Sequence, residues 1–209
     1  MIEPRGYQKR AKVAVLRSWR EHNRSLVVMP TGTGKPIMFG SLIQHVLERT
    51  SLRCLVVAHR DELITQTVKS LRLIDPMMPV GVVKGKSNEW QERVVVASVQ
   101  SLHKKRRDKI SDPFDVIVID EAHHAQANNT YGKVIKWSED ACAELGRRCR
   151  TLGVTATPFR GDKRGLGAVF QTLAFTYTIP AAVEDGVLCP LKAYQIRTKI
   201  NLDGCKVSA

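Results

Sequence analysis

The stretch Met29-Pro30-Thr31-Gly32-Thr33-Gly34-Lys35-Pro36 decides how the rest of the chain is read. It follows the apolar run Leu26-Val27-Val28 and leads into Ile37-Met38-Phe39-Gly40-Ser41-Leu42-Ile43. A buried strand that ends in a glycine-rich turn and opens a helix aims successive backbone N–H groups, with the positive end of the helix dipole, at one spot. That spot suits phosphate. Gly32 and Gly34 let the backbone come close to an anion, and Lys35 brings a charge to the outer phosphates. Sequences of this type usually follow the lysine with Ser or Thr, whose hydroxyl reaches magnesium. Here the position is Pro36.

Outward from the loop, strand-like and helix-like runs alternate. Tyr7, Ala11, Val15, Leu16 and Trp19 recur at helical spacing within residues 5–22, which predicts an amphipathic helix before the first strand. Apolar or β-branched runs at 26–29, 53–58, 94–97, 116–119 and 151–155 lack alternation, as strands covered on both faces do. Helical patterns lie between them at 36–49, 60–73, 98–107 and 130–147. This alternation predicts an α/β protein with a mainly parallel sheet and helices on both faces. Ligands of such sheets bind at the carboxyl ends of the strands, where the phosphate loop already lies.

Other strand ends carry chemistry. Val116-Ile117-Val118-Ile119 closes on Asp120-Glu121-Ala122-His123, so two carboxylates emerge from apolar backbone. One acid can hold magnesium while its neighbour orients or deprotonates a water, the division of labour that phosphoryl transfer requires. Acids after strands also serve as helix caps, and the tetrapeptide gains meaning from the phosphate loop upstream. Thr155-Ala156-Thr157-Pro158 places two hydroxyls after the next strand. Ala58 runs into His59-Arg60, and Ala97 into Ser98-Val99-Gln100.

The chain has 209 residues, enough to bury a core as one domain. A net charge of +13 and a pI near 9.8 exceed what solubility needs and point to a polyanionic partner. Five cysteines without paired short spacing indicate neither a disulfide framework nor a zinc site. No charged-then-apolar leader and no apolar stretch of membrane-spanning length is present, which predicts a cytoplasmic protein with no membrane association. Two glycosylation sequons, at Asn23 and Asn128, are then chance matches. Lys104-Lys105-Arg106-Arg107 reads as a nucleic-acid patch, a localisation signal or a solvated helix end. Trp19, Trp90 and Trp137 are either base-stacking platforms or core, with Trp19 on the apolar helical stripe. His124 beside His123 suggests a metal only weakly, because adjacent helical side chains face apart.

With these pieces in this order, the chain resembles the first RecA-like domain of superfamily 2 helicases and translocases, on the DEAH-box side. Relatives in feel are bacterial and phage helicase-like proteins and restriction-enzyme motor subunits. The similarity runs from Arg5 to about Arg197. Arg5-Gly6-Tyr7-Gln8 is similar to the adenine-reading block, and Pro30-Thr31-Gly32-Thr33-Gly34-Lys35, with Pro36, to the phosphate loop. Ala58-His59-Arg60 and Ala97-Ser98-Val99-Gln100-Ser101-Leu102 resemble the strand-contacting blocks, Asp120–His123 the acidic box and Thr155-Ala156-Thr157-Pro158 the coupling block. The resemblance implies a RecA-like three-layer sandwich that uses ATP and Mg2+. It implies that Gln8 bonds adenine, Lys35 the β and γ phosphates, Asp120 the metal through water and Glu121 the hydrolytic water. It further implies that His123, Thr155 and Thr157 couple nucleotide state to nucleic acid. His59, Arg60, Ser98, Gln100 and Arg160 would then contact the backbone of DNA or RNA, with DNA favoured.

Two departures qualify the implied activity. Pro36 supplies neither a hydroxyl nor an N–H. Since bonds to charged groups are worth about 1.5–3 kcal/mol each, the double loss predicts at least about a hundredfold weaker hydrolysis. The family also builds its site between two RecA-like domains, and nothing in this sequence encodes the second. Residues 1–190 read as the ATP-binding domain, and 191–209 as the start of a linker or strand toward the absent one. A rival reading is a non-catalytic nucleic-acid-binding module on a degenerate ATPase fold; strand affinity would respond to nucleotide in a motor and only to salt in a binder.

Overall fold

The computed structural model describes residues 2–158, 165–190 and 192. Its strands are β1 (Arg24–Val28), β2 (Cys54–Ala58), β3 (Val80–Lys84), β4 (Ser87–Asn88), β5 (Val94–Ser98), β6 (Val116–Asp120), β7 (Arg150–Thr155) and β8 (Thr172–Thr176). Its helices are α1 (Gly6–Ser18), α2 (Lys35–Arg49), α3 (Asp61–Ile74), α4 (Lys104–Arg107), α5 (Thr130–Glu144) and α6 (Ile179–Glu184). The strands form one sheet in the order β4-β3-β5-β2-β6-β7-β1-β8. Every pairing is parallel except that of β3 with β4.

Strand periodicity sorts the β-branched runs into two cores. Val27, Val56, Val96, Val118 and Val154 face one side, packed with Ala11, Phe39, Leu42 and Leu71 from α1, α2 and α3. Leu26, Val57, Val95, Ile117 and Ile119 face the other, packed with Tyr131, Val134 and Ile135 from α5. Successive side chains of a strand point to opposite faces, so a run apolar at every position needs helices on both sides. Two layers of helix around the sheet are the outcome.

The helix ends follow their sequences. Acids Asp61 and Glu62 occupy the first turn of α3 and Arg72 its last, complementing the helix dipole. Asn129 caps α5, its side-chain oxygen accepting from Tyr131 N at 3.0 Å and Gly132 N at 3.4 Å. Pro36 falls in the first turn of α2, where its missing N–H costs the helix nothing, and α2 starts at Lys35 as the sequence requires.

Two features differ from the sequence reading. The helix expected over 98–107 is two pieces, a 3-10 turn at Val99–Ser101 and the short α4, because β5 runs on to Ser98. Strands β3 and β4 lie at one edge of the sheet and β8 at the other, where partial burial leaves no continuous apolar run to read. Residues 191–209, expected to begin a further strand or linker, lie outside the described residues except for Lys192.

Candidate nucleotide and strand-contact site

The glycine-rich turn closes the carboxyl end of β1. Gly32 and Gly34 have φ of 84° and 71°, in the left-handed region that favours glycine. At Gly34 there is a second demand, since an added Cβ would lie 2.7 Å from Gln8 Nε2. Within the turn Pro30 O accepts from Thr33 Oγ1 at 2.7 Å, so that hydroxyl points inward, while Thr31 is exposed.

Helix α1 braces this turn from beneath. Gln8 is buried, and its Nε2 donates to Thr33 O at 3.0 Å and Gly34 O at 3.1 Å. Arg5 N donates to Gln8 Oε1 at 2.8 Å. Both amide hydrogens of Gln8 are therefore committed, and one Oε1 lone pair is left to face a ligand. Tyr7, whose ring stacks on Tyr177 at 4.3 Å, donates its hydroxyl to Thr33 O at 2.8 Å. A hollow of about 220 Å³ beside Gln8 is lined by Glu3, Arg5, Tyr7, Gly32, Thr33 and Ile37.

The acidic box closes β6 two strand positions away from β1 in the sheet. Asp120 is 5% exposed, and burial, then the neighbouring Glu121 charge, push its carboxyl up to about 6. Glu121 has φ 51° and ψ 51°, a left-handed conformation in a residue with a side chain. That turn directs the Glu121 carboxylate toward both neighbours: Oε1 lies 4.0 Å from Lys35 Nζ and Oε2 lies 3.3 Å from His123 Nδ1. Lysine, both acids and the glycine-rich turn thus share one end of the sheet.

His123 reaches onward, its Nδ1 3.0 Å from Thr155 Oγ1. That hydroxyl donates to Thr157 O at 3.0 Å, so the hydrogen shared with His123 comes from the imidazole. Thr155 O in turn accepts from Met29 N at 2.9 Å, joining the Thr155 strand end to the root of the glycine-rich turn. On the other side of the box His124 lies tilted against His123, ring centroids 4.1 Å apart, and stacks on His59 at 4.8 Å. His59 O accepts from Gln100 Nε2 at 3.1 Å, and Ser98 Oγ donates to Gln100 Oε1. Arg60 is exposed at the start of α3 and helps line, with His59, Glu62 and His124, a recess of about 290 Å³. Arg160 lies outside the described residues.

Some participants escaped the sequence reading. Tyr131 is 4% exposed with an unpartnered hydroxyl, and burial, then the Asp120 and Glu121 charges, push it up to about 12. Its Asn129 cap, one turn after the acidic box, is the signal that sets it there. The bridging place of His124 had no signal, because it arises from a 3-10 turn, Ala122–His124, instead of the α-helical geometry assumed. Among the described residues no cluster of three or more His, Cys, Asp or Glu could hold a metal. Nor is any described helix long and apolar enough to cross a membrane.

Comparison with known proteins adds family and fold. A family model described as "Type III restriction enzyme, res subunit" matches residues 1–160. The chain is 29% identical over 214 residues to a putative ATP-dependent helicase, IRC3, of Saccharomyces cerevisiae, across 98% of this chain and 31% of that protein. It is 27% identical over 213 residues to a type I restriction enzyme EcoAI endonuclease subunit of Escherichia coli, across 96% of this chain and 25% of that one. The chain therefore spans between a quarter and a third of these relatives. Among solved structures, a type ISP restriction-modification enzyme, LlaGI, in complex with a DNA substrate mimic superposes with a TM-score of 0.69 at 18% identity, over 89% of this chain and 21% of that one. The UvsW helicase of bacteriophage T4 gives 0.62 at 22% identity, over 84% of this chain and 60% of that one. At such identities the likeness establishes the RecA-like fold.

Proposed function

The chain belongs to the restriction-enzyme res subunit family, and from that premise we propose that it is the N-terminal ATP-binding motor domain of an ATP-dependent nucleic-acid helicase or translocase. The observation that carries this reading is the meeting of Lys35 with Glu121, at 4.0 Å, at the carboxyl ends of parallel strands. Residues 1–190 form the domain, and a second RecA-like domain in the longer protein completes its site. A cytoplasmic location belongs to the same reading.

Each residue's part follows from its setting. The N–H groups of the glycine turn and Lys35 bind the outer phosphates. Gln8 holds the turn's carbonyls inward and offers its remaining lone pair toward adenine, beside Arg5. Glu121 stands free to orient and deprotonate a water, with Lys35 and His123 setting its direction. Asp120, buried and reluctant to ionise, suits an acid that keeps its charge only beside a cation, so it would hold Mg2+ through water. When bound, that ion supplies charge neutralisation on the phosphates. Pro36 lacks the hydroxyl that would complete the ion's protein ligands, and Thr33 Oγ1 is turned to Pro30 and does not replace it.

Coupling runs through touching groups. His123 and Thr155 link the acidic box to the phosphate turn, with Thr157 behind them, and His124 links the box to His59. His59, Arg60, Ser98 and Gln100 present donors suited to sugar-phosphate backbone, and Arg160 belongs with them on sequence. Backbone contact gives affinity without sequence preference, as a stepping motor needs. DNA is the favoured strand, and the LlaGI structure that superposes on this chain, solved in complex with a DNA substrate mimic, supports it.

Pro36 is proposed to hold hydrolysis at least about a hundredfold below that of a hydroxyl-bearing loop. The test is Pro36→Thr in the longer protein that carries the second domain. Strand-stimulated ATP hydrolysis is expected to rise by about two decades; no rise, with ATP binding intact, removes Pro36 as the cause.

A further inference from the structure

Two sequence features remain outside the strand-end site, the basic run Lys104–Arg107 and Trp137, and the fold brings them together. They line a groove of about 650 Å³ between α4, the loop 108–113 and α5, which shares no residue with the nucleotide and strand-contact site. The basic run is not a uniformly solvated helix end. Arg106 is fastened to Asn88 Oδ1 at 2.9 Å and Ser87 O at 2.7 Å, whereas Arg107 turns into the groove and is 8% exposed.

Arg107 is anomalous. Its Nε and Nη1 are buried without an acceptor, and among the described residues none of its nitrogens donates a hydrogen bond. No ion pair reaches it among those residues; its guanidinium lies 5.8 Å from the Trp137 ring centroid, covering one face of the indole. Burial pushes it below the usual arginine range, and Asp108 is the one carboxylate close enough to oppose that. A buried guanidinium with five donors and no partner is costly unless an anion arrives to meet it. Lys104 and Lys133, at the rim, have no ion-pair partner among the described residues either, while Lys136 is paired with Asp140 at 2.9 Å.

The composition of the groove selects among anions. With Asp108, Asp140 and Glu144 on its margin the groove suits a single anionic group beside Arg107 and disfavours a run of negative charges, and Arg107 on one face of Trp137 with Phe114 at its edge leaves little indole for a base to stack on. Ile110, Pro113 and the 57% exposed Leu145 give it an apolar floor. A carboxylate flanked by apolar side chains satisfies all three features: one charge for Arg107, neighbours for Lys104 and Lys133, and apolar groups for the floor. We infer that the α4–α5 groove docks an acidic, partly apolar peptide segment of a protein partner, with one carboxylate received by Arg107.

A stability signature separates this from a structural role. If Arg107 is retained for a ligand, Arg107→Met removes an uncompensated buried charge, and the free chain melts about 2–4 °C higher. A structural arginine gives a lower melting temperature on the same change, which overturns the inference. The binding probe is a short fluorescein-labelled peptide of one Asp flanked by Leu and Ser, read by anisotropy beside the same peptide with Asn for Asp. The acidic peptide is expected to bind, to lose at least about tenfold in affinity with Arg107→Met, and to weaken severalfold with Lys133→Glu, whose exposed position leaves folding unaffected. Equal binding of the Asn peptide overturns the carboxylate assignment. Displacement of the acidic peptide by an unlabelled single-stranded oligonucleotide would make the groove a nucleic-acid site instead.

Discussion

The turns after β1 and β6 solve one geometric problem in opposite ways. Each must reverse the chain at the end of a parallel strand through left-handed backbone, at Gly32 and Gly34 in one and at Glu121 in the other. Where the proposed binding groups are backbone amides, glycine makes the turn without strain. Where a carboxylate must leave the turn at a fixed angle, the side chain stays, and the left-handed conformation costs about 1–2 kcal/mol. Strain here tracks which part of the residue has work to perform.

That contrast can be broken by substitution. The largest expected effect concerns the buried acid that precedes the strained one. Asp120 moves from an ordinary 3.8 to about 6 on folding, so between those values the native chain holds a proton that the unfolded chain has lost. Stability therefore falls as pH rises through that window, by about 1.4 kcal/mol per pH unit and about 3 kcal/mol in all. Asp120→Asn, which keeps the acceptor for Glu121 N, should gain about that much at pH 8 and almost nothing below pH 4, as urea unfolding at the two pH values would show. Next, Gly34→Ala places a Cβ both in left-handed backbone and against Gln8, and should cost about 2 kcal/mol with a matching loss of fluorescent-nucleotide affinity. Gly32→Ala meets only Leu188 at 3.4 Å, an ordinary contact, and should cost about 1 kcal/mol by the same denaturation measurement. Glu121→Gly is the mirror change: hydrolysis is lost, and because the release of left-handed strain is set against a buried Lys35 amine left without its carboxylate, the melting temperature moves by the equivalent of less than about 1 kcal/mol. A larger fall in melting temperature there would show that Glu121 is held by contacts stronger than its strain.

Legibility in the sequence followed burial. Runs such as Val94-Val95-Val96-Ala97 and Val116-Ile117-Val118-Ile119 are apolar throughout because both faces are covered, and they marked the central strands to within a residue or two. Val80–Lys84 alternates buried with half-buried positions and carries Gly81, and Thr172–Thr176 is nowhere fully buried, so neither announced itself. At the site, residues that act by type were readable: a lysine after glycines, paired acids, paired threonines. Residues that act by direction were not. Nothing in the letters says that both amide hydrogens of Gln8 go to the loop's own carbonyls, or that His124 lies between two other imidazoles.

The grip of Gln8 on Thr33 and Gly34 makes the proposed anion cradle a composite object. Its outline is imposed by a side chain that precedes it by 25 and 26 positions, carried on a helix that lies outside the sheet. Trimming the amino terminus up to and including that helix would thus leave every letter of the cradle in place yet let its rim go slack, and an assay of the shortened chain would report a defect whose source lies in the piece discarded.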